Sequence, residues 1–349
     1  MSAIATTVAG ESNARSTARL GLAEWQDIQS VLRESHQIWS SGLDKSTYYQ
    51  YIWWQMHQPW SRKNYRYLVY KNDRDQILSS CKLYTLDMMS HHQHFKIAGI
   101  GAVYTPRPHR GQGHAVEFLH AVRNFCSSAA EAYDGMLLYS DIGLELYEAI
   151  GFEVLGSCDF YLWLPNSGAA EAVPHTWLPA IDSATSRRYQ VTAIDLDMVP
   201  DMVRYYQRCQ VNLPFATARS EDYWHYKLAR ERYVSQRSSR TFAPLELMRS
   251  KESGFSAGYA VLERTAEIMR VLEVVGSCET RENLWQSILS LAIDAGIGVI
   301  RGWEAAAPPL RGVRFVERDY ALPMLLPFDQ RVAKWREPLP CPLFELDHF

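Results

Sequence analysis

The chain has 349 residues, a formal net charge of −3, 47% hydrophobic and 21% charged residues. That length exceeds one ordinary domain and points to two. The near-neutral charge excludes a nucleic-acid binder that works by broad phosphate neutralisation. No apolar run reaches the length of a membrane-spanning helix. The six cysteines lack a C-x-x-C pair, so neither a disulfide framework nor a zinc ribbon is expected.

In chain order, residues 1–17 are small and polar, without the charged start and apolar core of a signal peptide, and read as a disordered tail. Cytoplasmic residence is the default expectation. From Leu20 to about His57 the pattern is helical and aromatic, with Trp25, Ile28, Val31 and Leu32 followed by Tyr48, Tyr49, Tyr51, Trp53 and Trp54. Tyr65–Tyr70 reads as a strand that turns at Lys71-Asn72-Asp73 into a partner over Ile77–Leu86. The histidines at 91, 92 and 94 have no carboxylate or cysteine at ligand spacing, so a strand-to-strand loop is expected there and no metal site.

Residues 97–152 carry the most information. Ile97–Val103 is an apolar, β-branched run that reads as a buried strand, stopped by Pro106 and Pro108. Arg110-Gly111-Gln112-Gly113-His114-Ala115 then opens a helix whose apolar positions Ala115, Phe118, Leu119 and Val122 follow helical spacing. The first N–H groups of a helix lack internal partners, and the macrodipole adds partial positive charge. Glycines at 111 and 113 allow close approach to the main chain, and Arg110 adds a fixed charge. This is a phosphate-binding arrangement. Farther on, Leu137-Leu138-Tyr139 reads as another strand, and a short helix places Tyr147 one turn before Gly151-Phe152.

These residues resemble the GCN5-related N-acetyltransferase (GNAT) superfamily. Its R/Q-x-x-G-x-G/A signature is matched by Arg110, Gly113 and Ala115, its preceding V-x-T-P strand by Val103 to Pro106, and its Y-x-x-x-G-F by Tyr147, Gly151 and Phe152. The resemblance implies acetyl-CoA as cosubstrate. The main chain of Val103 and Thr105 would pair with the pantetheine arm, and residues 110–115 (Arg110, Gly111, Gln112, Gly113, His114 and Ala115) would hold the pyrophosphate. Tyr147 would be the general acid, and Ser140 stands where many members carry asparagine. The first two helices border the acceptor pocket in this fold, so the aromatic cluster at 48–54 either lines that pocket or packs the helices together. The Val103 N–H would polarise the thioester carbonyl.

Pro165–Arg188 is rich in Pro, Ala and Ser without a sustained period and reads as a linker. Beyond it the pattern repeats: strands at Tyr189–Ile194, Leu245–Met248, Gly258–Glu263, Met269–Val275 and Gly298–Trp303, with helices at Asp197–Gln210 and Arg281–Ala295. After Val275, Glu279 falls where an anion site would want no negative charge. The expectation is a fold of class α/β (α+β): two tandem acetyltransferase-like domains, each a mixed, mostly antiparallel sheet flanked by helices, the second degenerate. The segments are a tail 1–17, an acetyl-CoA-binding domain 18–165, a linker 166–188, a second domain 189–330 and a C-terminal tail 331–349.

The order is similar to that of the tandem enhanced-intracellular-survival acetyltransferases and mycothiol synthases, and the S-D-I-G-x-x-x-Y form resembles fungal lysine N6-acetyltransferases. In the first of these a C-terminal phenylalanine carboxylate is the base, which makes Phe349 a candidate alongside Asp87, Asp141 and Glu145. The expected reaction is direct transfer from acetyl-CoA to a primary amine, a small amine or an amino acid, in a ternary complex. A protein-lysine acceptor and a non-catalytic acyl-CoA-binding protein are the alternatives. Neither nucleic acid nor membrane is an expected partner, and self-association into a homo-oligomer is left open. A nucleotide-binding Rossmann unit would need its glycine turn after the first strand, whereas three strands precede this one.

Overall fold

The computed structural model describes residues 18–174, 176, 178, 189–193, 196–237, 246–250, 256–337 and 341–349. The expected tail 1–17 and the end of the expected linker, 179–188, lie outside the described residues. The first half runs β1 (Arg19–Leu22), α1 (Trp25–Trp39), α2 (Lys45–Met56), α3 (Pro59–Asn64), β2 (Tyr65–Lys71), β3 (Ile77–Ser90), β4 (Gln93–Tyr104), α4 (His114–Ser127), β5 (Gly135–Ser140), α5 (Glu145–Glu148), β6 (Glu153–Val154) and β7 (Cys158–Trp163). The second half runs β8 (Tyr189–Ala193), α6 (Val199–Gln210), β9 (Ala216–Thr217), α7 (Glu221–Ser235), β10 (Glu246–Ser250), β11 (Ser256–Arg264), β12 (Ile268–Gly276), α8 (Cys278–Asp294), β13 (Val299–Trp303), β14 (Arg314–Glu317), β15 (Leu322–Pro327) and α9 (Gln330–Ala333).

These elements build two mixed sheets. The first has the order β1-β2-β3-β4-β5-β15-β6, with β9 added beside β3; the second has the order β14-β7-β13-β12-β11-β10-β8. Each contains one parallel pair, β4–β5 and β12–β13, joined through a helix, α4 and α8 respectively. The expected boundary at residue 165 does not follow sheet membership. β7 leaves the first half and pairs with β13 and β14, while β15 returns from the second half and inserts between β5 and β6. Pairing at a sheet edge is non-local, so nothing in the alternation of Phe160–Leu164 distinguishes one sheet from the other.

Both faces of the first sheet are covered. On one face α4 buries Phe118, Leu119, Val122 and Cys126 against Cys81, Leu83, Ala98, Ile100, Met136 and Leu138. Each fully buried side chain of this size contributes about 1.5–3 kcal/mol. On the other face α1–α3 and α7 bring Tyr48, Tyr51, Trp60 and Tyr226 onto Tyr84 and Leu86. Helix α7 starts at Ser220, whose side chain accepts from the Tyr223 N–H, and it also packs Trp224 and Leu228 into the core of the second half. It therefore joins the two halves. No helix among the described residues is long and apolar enough to cross a membrane.

Candidate active site at the divergence of β4 and β5

Strands β4 and β5 pair in parallel only from Ile97↔Gly135 to Ile100↔Leu138. Past that point they separate. β5 turns to β15 through Tyr139↔Pro323 and Ser140↔Leu322, while β4 stays with β3. The register on β3 shifts between Lys82↔Gly101 and Ser80↔Tyr104, so β4 carries one extra residue, and Ala102 has φ +49°. This is a β-bulge, which bends its strand and re-aims the neighbouring backbone groups. The β5-facing edge of Gly101–Tyr104 has no strand partner among the described residues. Such an edge accepts an extended, amide-bearing ligand in the way it would accept another strand. Val103 and Thr105, expected to bind the cosubstrate, lie on and just after it.

The glycine turn follows directly. Gly111 (φ +72°) and Gly113 (φ +83°) occupy the left-handed region, and Gly113 is the N-cap of α4. A Cβ built on either would meet nothing within 4 Å, so the surface beside the helix N-terminus is open. Arg110 Nε donates to the Thr105 carbonyl at 3.0 Å, and its guanidinium lies 5.4 Å from the Tyr104 ring centroid, which ties the turn to the end of β4. Gln112 Nε2 donates to the Pro108 carbonyl at 2.9 Å. His114 and Ala115 are the first residues of the helix. Thr105 Oγ1 is 2.8 Å from Ser79 Oγ, and Tyr104 donates its hydroxyl to Glu34 of α1 at 2.9 Å.

Ser140 is buried and donates to the Gly143 carbonyl at 2.5 Å. Its hydroxyl is thus engaged in the turn that leads to α5, where it also accepts from the Ile142 N–H. Tyr147 is buried on the α4 face, its ring 6.1 Å from that of Phe152. Burial, with Asp141 and Cys81 adding to it, pushes its phenol up to about 12.

On the opposite face a cavity of about 460 Å³ opens between the two sheets. Gly101, Ala102, Tyr139 and Asp141 form its wall at the divergence, Tyr48 and Tyr51 of α2 a second wall, and Arg270, Arg301 and Trp303 of the second sheet a third. Of the aromatic cluster expected in α2, Tyr48 and Tyr51 therefore reach the cavity. Trp53 is 48% exposed and packs on Trp25, and Trp54 stacks on Tyr51 and Tyr233. Phe349 also lines the cavity. Its ring lies 5.1 Å from that of Tyr84 and 5.2 Å from that of Tyr139, against the bare backbone of Gly99.

The segment leading to Phe349 is held by charge. Arg219 grips Asp347 through two hydrogen bonds of 3.0 and 2.7 Å and Glu273 through two of 2.7 and 2.8 Å, all three side chains being buried. Tyr223 donates to Asp347 at 3.1 Å, and Lys227 donates to the His348 carbonyl at 2.8 Å. Burial and the surrounding Arg230, Lys227, Arg318 and Arg270 hold the His348 imidazole down at about 3, so it is neutral near pH 7.

Of the other candidate bases, Asp141 accepts from the Ala321 N–H at 3.1 Å at the cavity wall. Asp87 pairs with His94 at 2.9 Å and borders a separate cavity of about 620 Å³ beside α7, away from the divergence. Glu145 is exposed on α5. His91 and His92 form the two-residue turn of the β3–β4 hairpin at φ +47° and +65°, the geometry of a primed turn. Among the described residues no three His, Cys, Asp or Glu side chains gather as a metal site.

Sequence reading missed the charged cavity residues Lys82, Arg230, Glu263, Arg270 and Arg301. A single charge inside an apolar strand, as in Ser-Cys-Lys82-Leu-Tyr or Val-Ile-Arg301-Gly-Trp, was the available signal, because such side chains are rarely buried without a partner.

A family model described as an acetyltransferase (GNAT) domain matches residues 23–155, which span the open edge, the glycine turn and Tyr147. Residues 23–155 are a GNAT domain. The fold of the whole chain is similar to a probable N-acyltransferase from Enterococcus faecalis V583, with a TM-score of 0.64 and 12% identity, covering 93% of this chain and 76% of that one. It is also similar to a GCN5-related N-acetyltransferase from Anabaena variabilis, with a TM-score of 0.64 and 16% identity over 88% and 72% of the two chains. A third likeness is to Saccharomyces cerevisiae N-myristoyltransferase with bound myristoyl-CoA, with a TM-score of 0.52 and 8% identity over 92% and 85%. Comparison with curated proteins found no match. The GNAT domain belongs to a family of acyl-CoA-dependent acyltransferases.

Proposed function

We propose that the chain transfers the acetyl group of acetyl-CoA to a primary amine of a small molecule, by direct attack in a ternary complex. The observation that carries this reading is the coincidence of three features: an unpaired strand edge at Gly101–Tyr104, an open glycine turn at the N-terminus of α4, and a cavity reached from the point where β4 and β5 part. The pantetheine arm of acetyl-CoA fits the edge, through the main chain of Val103 and Thr105. The pyrophosphate fits the N-terminal N–H groups of α4 with Arg110 beside them. A short acyl group suits the site, since the rings of Tyr84, Tyr139 and Phe349 crowd the space behind the divergence.

In this reading the Val103 N–H donates to the thioester carbonyl oxygen, where negative charge develops; donors of this kind contribute about 3–4 kcal/mol in acyl transfer. Tyr147 stays protonated at neutral pH and gives its proton to the departing thiolate. The acceptor amine must lose a proton, for which Asp141 at the cavity wall and a carboxylate at Phe349 are the candidates. A cavity of about 460 Å³ is in the size range of small-molecule sites, which favours such an acceptor over a lysine on a folded protein. The same reading keeps the chain in the cytoplasm, where acetyl-CoA and free thiols such as the buried Cys81 and Cys126 coexist.

The test is free-thiol release from acetyl-CoA across a panel of amines and amino acids, with CoA affinity measured by calorimetry. Arg110→Glu places a negative charge at the helix N-terminus and is expected to abolish CoA binding. Retained affinity in that variant overturns the assignment of the turn.

A further inference from the structure

Not all of the charged side chains that line the cavity are paired with one another. Two of the four lining cations are paired: Arg230 with Glu231 at 3.0 Å, and Arg270 with both Glu263 at 2.9 Å and Glu345. The other two are not. Arg301 forms no ion pair among the described residues, and its Nε is buried without a hydrogen-bond partner. It sits beside Arg270 in the parallel register of β12 and β13, so two guanidinium groups neighbour each other while Glu263 and Glu345 are both spent on Arg270. Asp159 feels the field of Arg301, but its closest cation is Arg318 at 3.5 Å. Lys82, on β3 opposite Gly101, likewise has no ion pair among the described residues.

An unpaired charge facing a confined cavity is costly unless an ion of opposite sign arrives with the ligand. The opposite wall supplies the complement. Asp141 follows the end of β5 and accepts only from a backbone N–H and the Tyr320 side chain, with no cation within ion-pair distance among the described residues. Its carboxylate lies at the divergence, where the acyl group would emerge, whereas Arg301 lies on the facing sheet.

We propose that the acceptor is a small zwitterion: its amine lies at the Asp141 end of the cavity and its anionic group, a carboxylate or a phosphonate-like oxyanion, docks on Arg301. The planar guanidinium suits a forked, two-point contact with such a group. Lys82 adds positive potential at the β3 wall. This inference rests on the proposed acyl transfer and names its acceptor class.

The experiment compares α-amino acids with their carboxamides, their decarboxylated amines and the corresponding α-aminophosphonates, all with acetyl-CoA. The expected result is a kcat/KM roughly 10- to 100-fold higher for acceptors that keep the anion, carried mainly by KM. Arg301→Gln should collapse that ratio toward one, and Arg301→Lys should recover part of it. Acetyl-CoA affinity measured on each variant establishes that the fold and the cosubstrate site persist. Carboxylates ahead of phosphonates, or the reverse, identifies the oxyanion. Equal kcat/KM for acceptors with and without the anion in the unaltered chain overturns the zwitterion alone. An unchanged ratio in Arg301→Gln overturns Arg301 as its anchor. No turnover on any amine, with acetyl-CoA still bound, overturns the transfer reading and this inference with it.

Discussion

Tyr147 and His348 show how burial fixes protonation state on the two faces of the first sheet. A phenol pushed up to about 12 remains protonated throughout the neutral range, so its proton is present for donation. Tyr147→Phe keeps the ring packing on Phe152 and removes the hydroxyl, so single-turnover kinetics should show a fall of about 10²–10⁴-fold in the acyl-transfer rate with little change in acetyl-CoA affinity. An unaltered rate removes Tyr147 from the reaction. For His348 the consequence is one of stability. Held at about 3 in the fold against an ordinary 6.5, the imidazole is neutral in the native state while the unfolded chain binds a proton below pH 6.5. Stability is therefore full above that value and declines as the pH falls from 6.5 toward 3, by up to ~1.4 kcal/mol per pH unit. In urea titrations at pH 7 and pH 5, His348→Gln should lose ~2 kcal/mol less on acidification than the unaltered chain.

Helix α4 depends on its N-cap. Gly113 holds φ +83° with open space where a Cβ would go, so Gly113→Ala meets a backbone penalty and no clash. Chemical denaturation should register a loss of ~1 kcal/mol. CoA affinity should fall as well, because the first N–H groups would shift away from the turn. The strand, turn and helix of the candidate site were legible because they are local: Val103 to Ala115 are consecutive, and each residue's place in strand, turn or helix follows from its neighbours. Helix α7 was not legible. In Glu221–Ser235 the buried positions include Tyr223, Trp224, Tyr226, Lys227, Leu228 and Val234, which cover a broad arc of the helix rather than one narrow stripe. An element packed against two cores buries a broad arc, here including the charged Lys227, and leaves no narrow apolar stripe to reveal its period. The charged lining escaped for a related reason: Arg301 and Lys82 become neighbours of one cavity only when the two sheets face each other.

Across the whole molecule the exchange of β7 and β15 couples the halves. Without residues 322–327 the first sheet lacks the strand between β5 and β6, and without its partners in the second sheet β7 is an unpaired strand. A fragment of residues 18–165 should therefore fail to give a cooperative unfolding transition, while the full chain unfolds in one calorimetric step. Two separate transitions in the full chain would falsify this coupling. The short strand Leu322–Pro327 carries prolines at its second and last positions, which on sequence alone argue against an interior strand. Its place beside β5 is set by the fold of everything before it.

That late strand has a consequence for how the protein is made. β6 and β15 are separated by roughly 170 residues, yet they are neighbours in the same sheet. At ribosomal speeds on the order of 5–20 residues per second, the nascent first half waits about 10–30 s with the edges of β5 and β6 bare. During that interval β5 lacks its β15 partner, from Gly135 to Ser140, so a chain still tethered to the ribosome has the glycine turn of the candidate site before it has a complete first sheet.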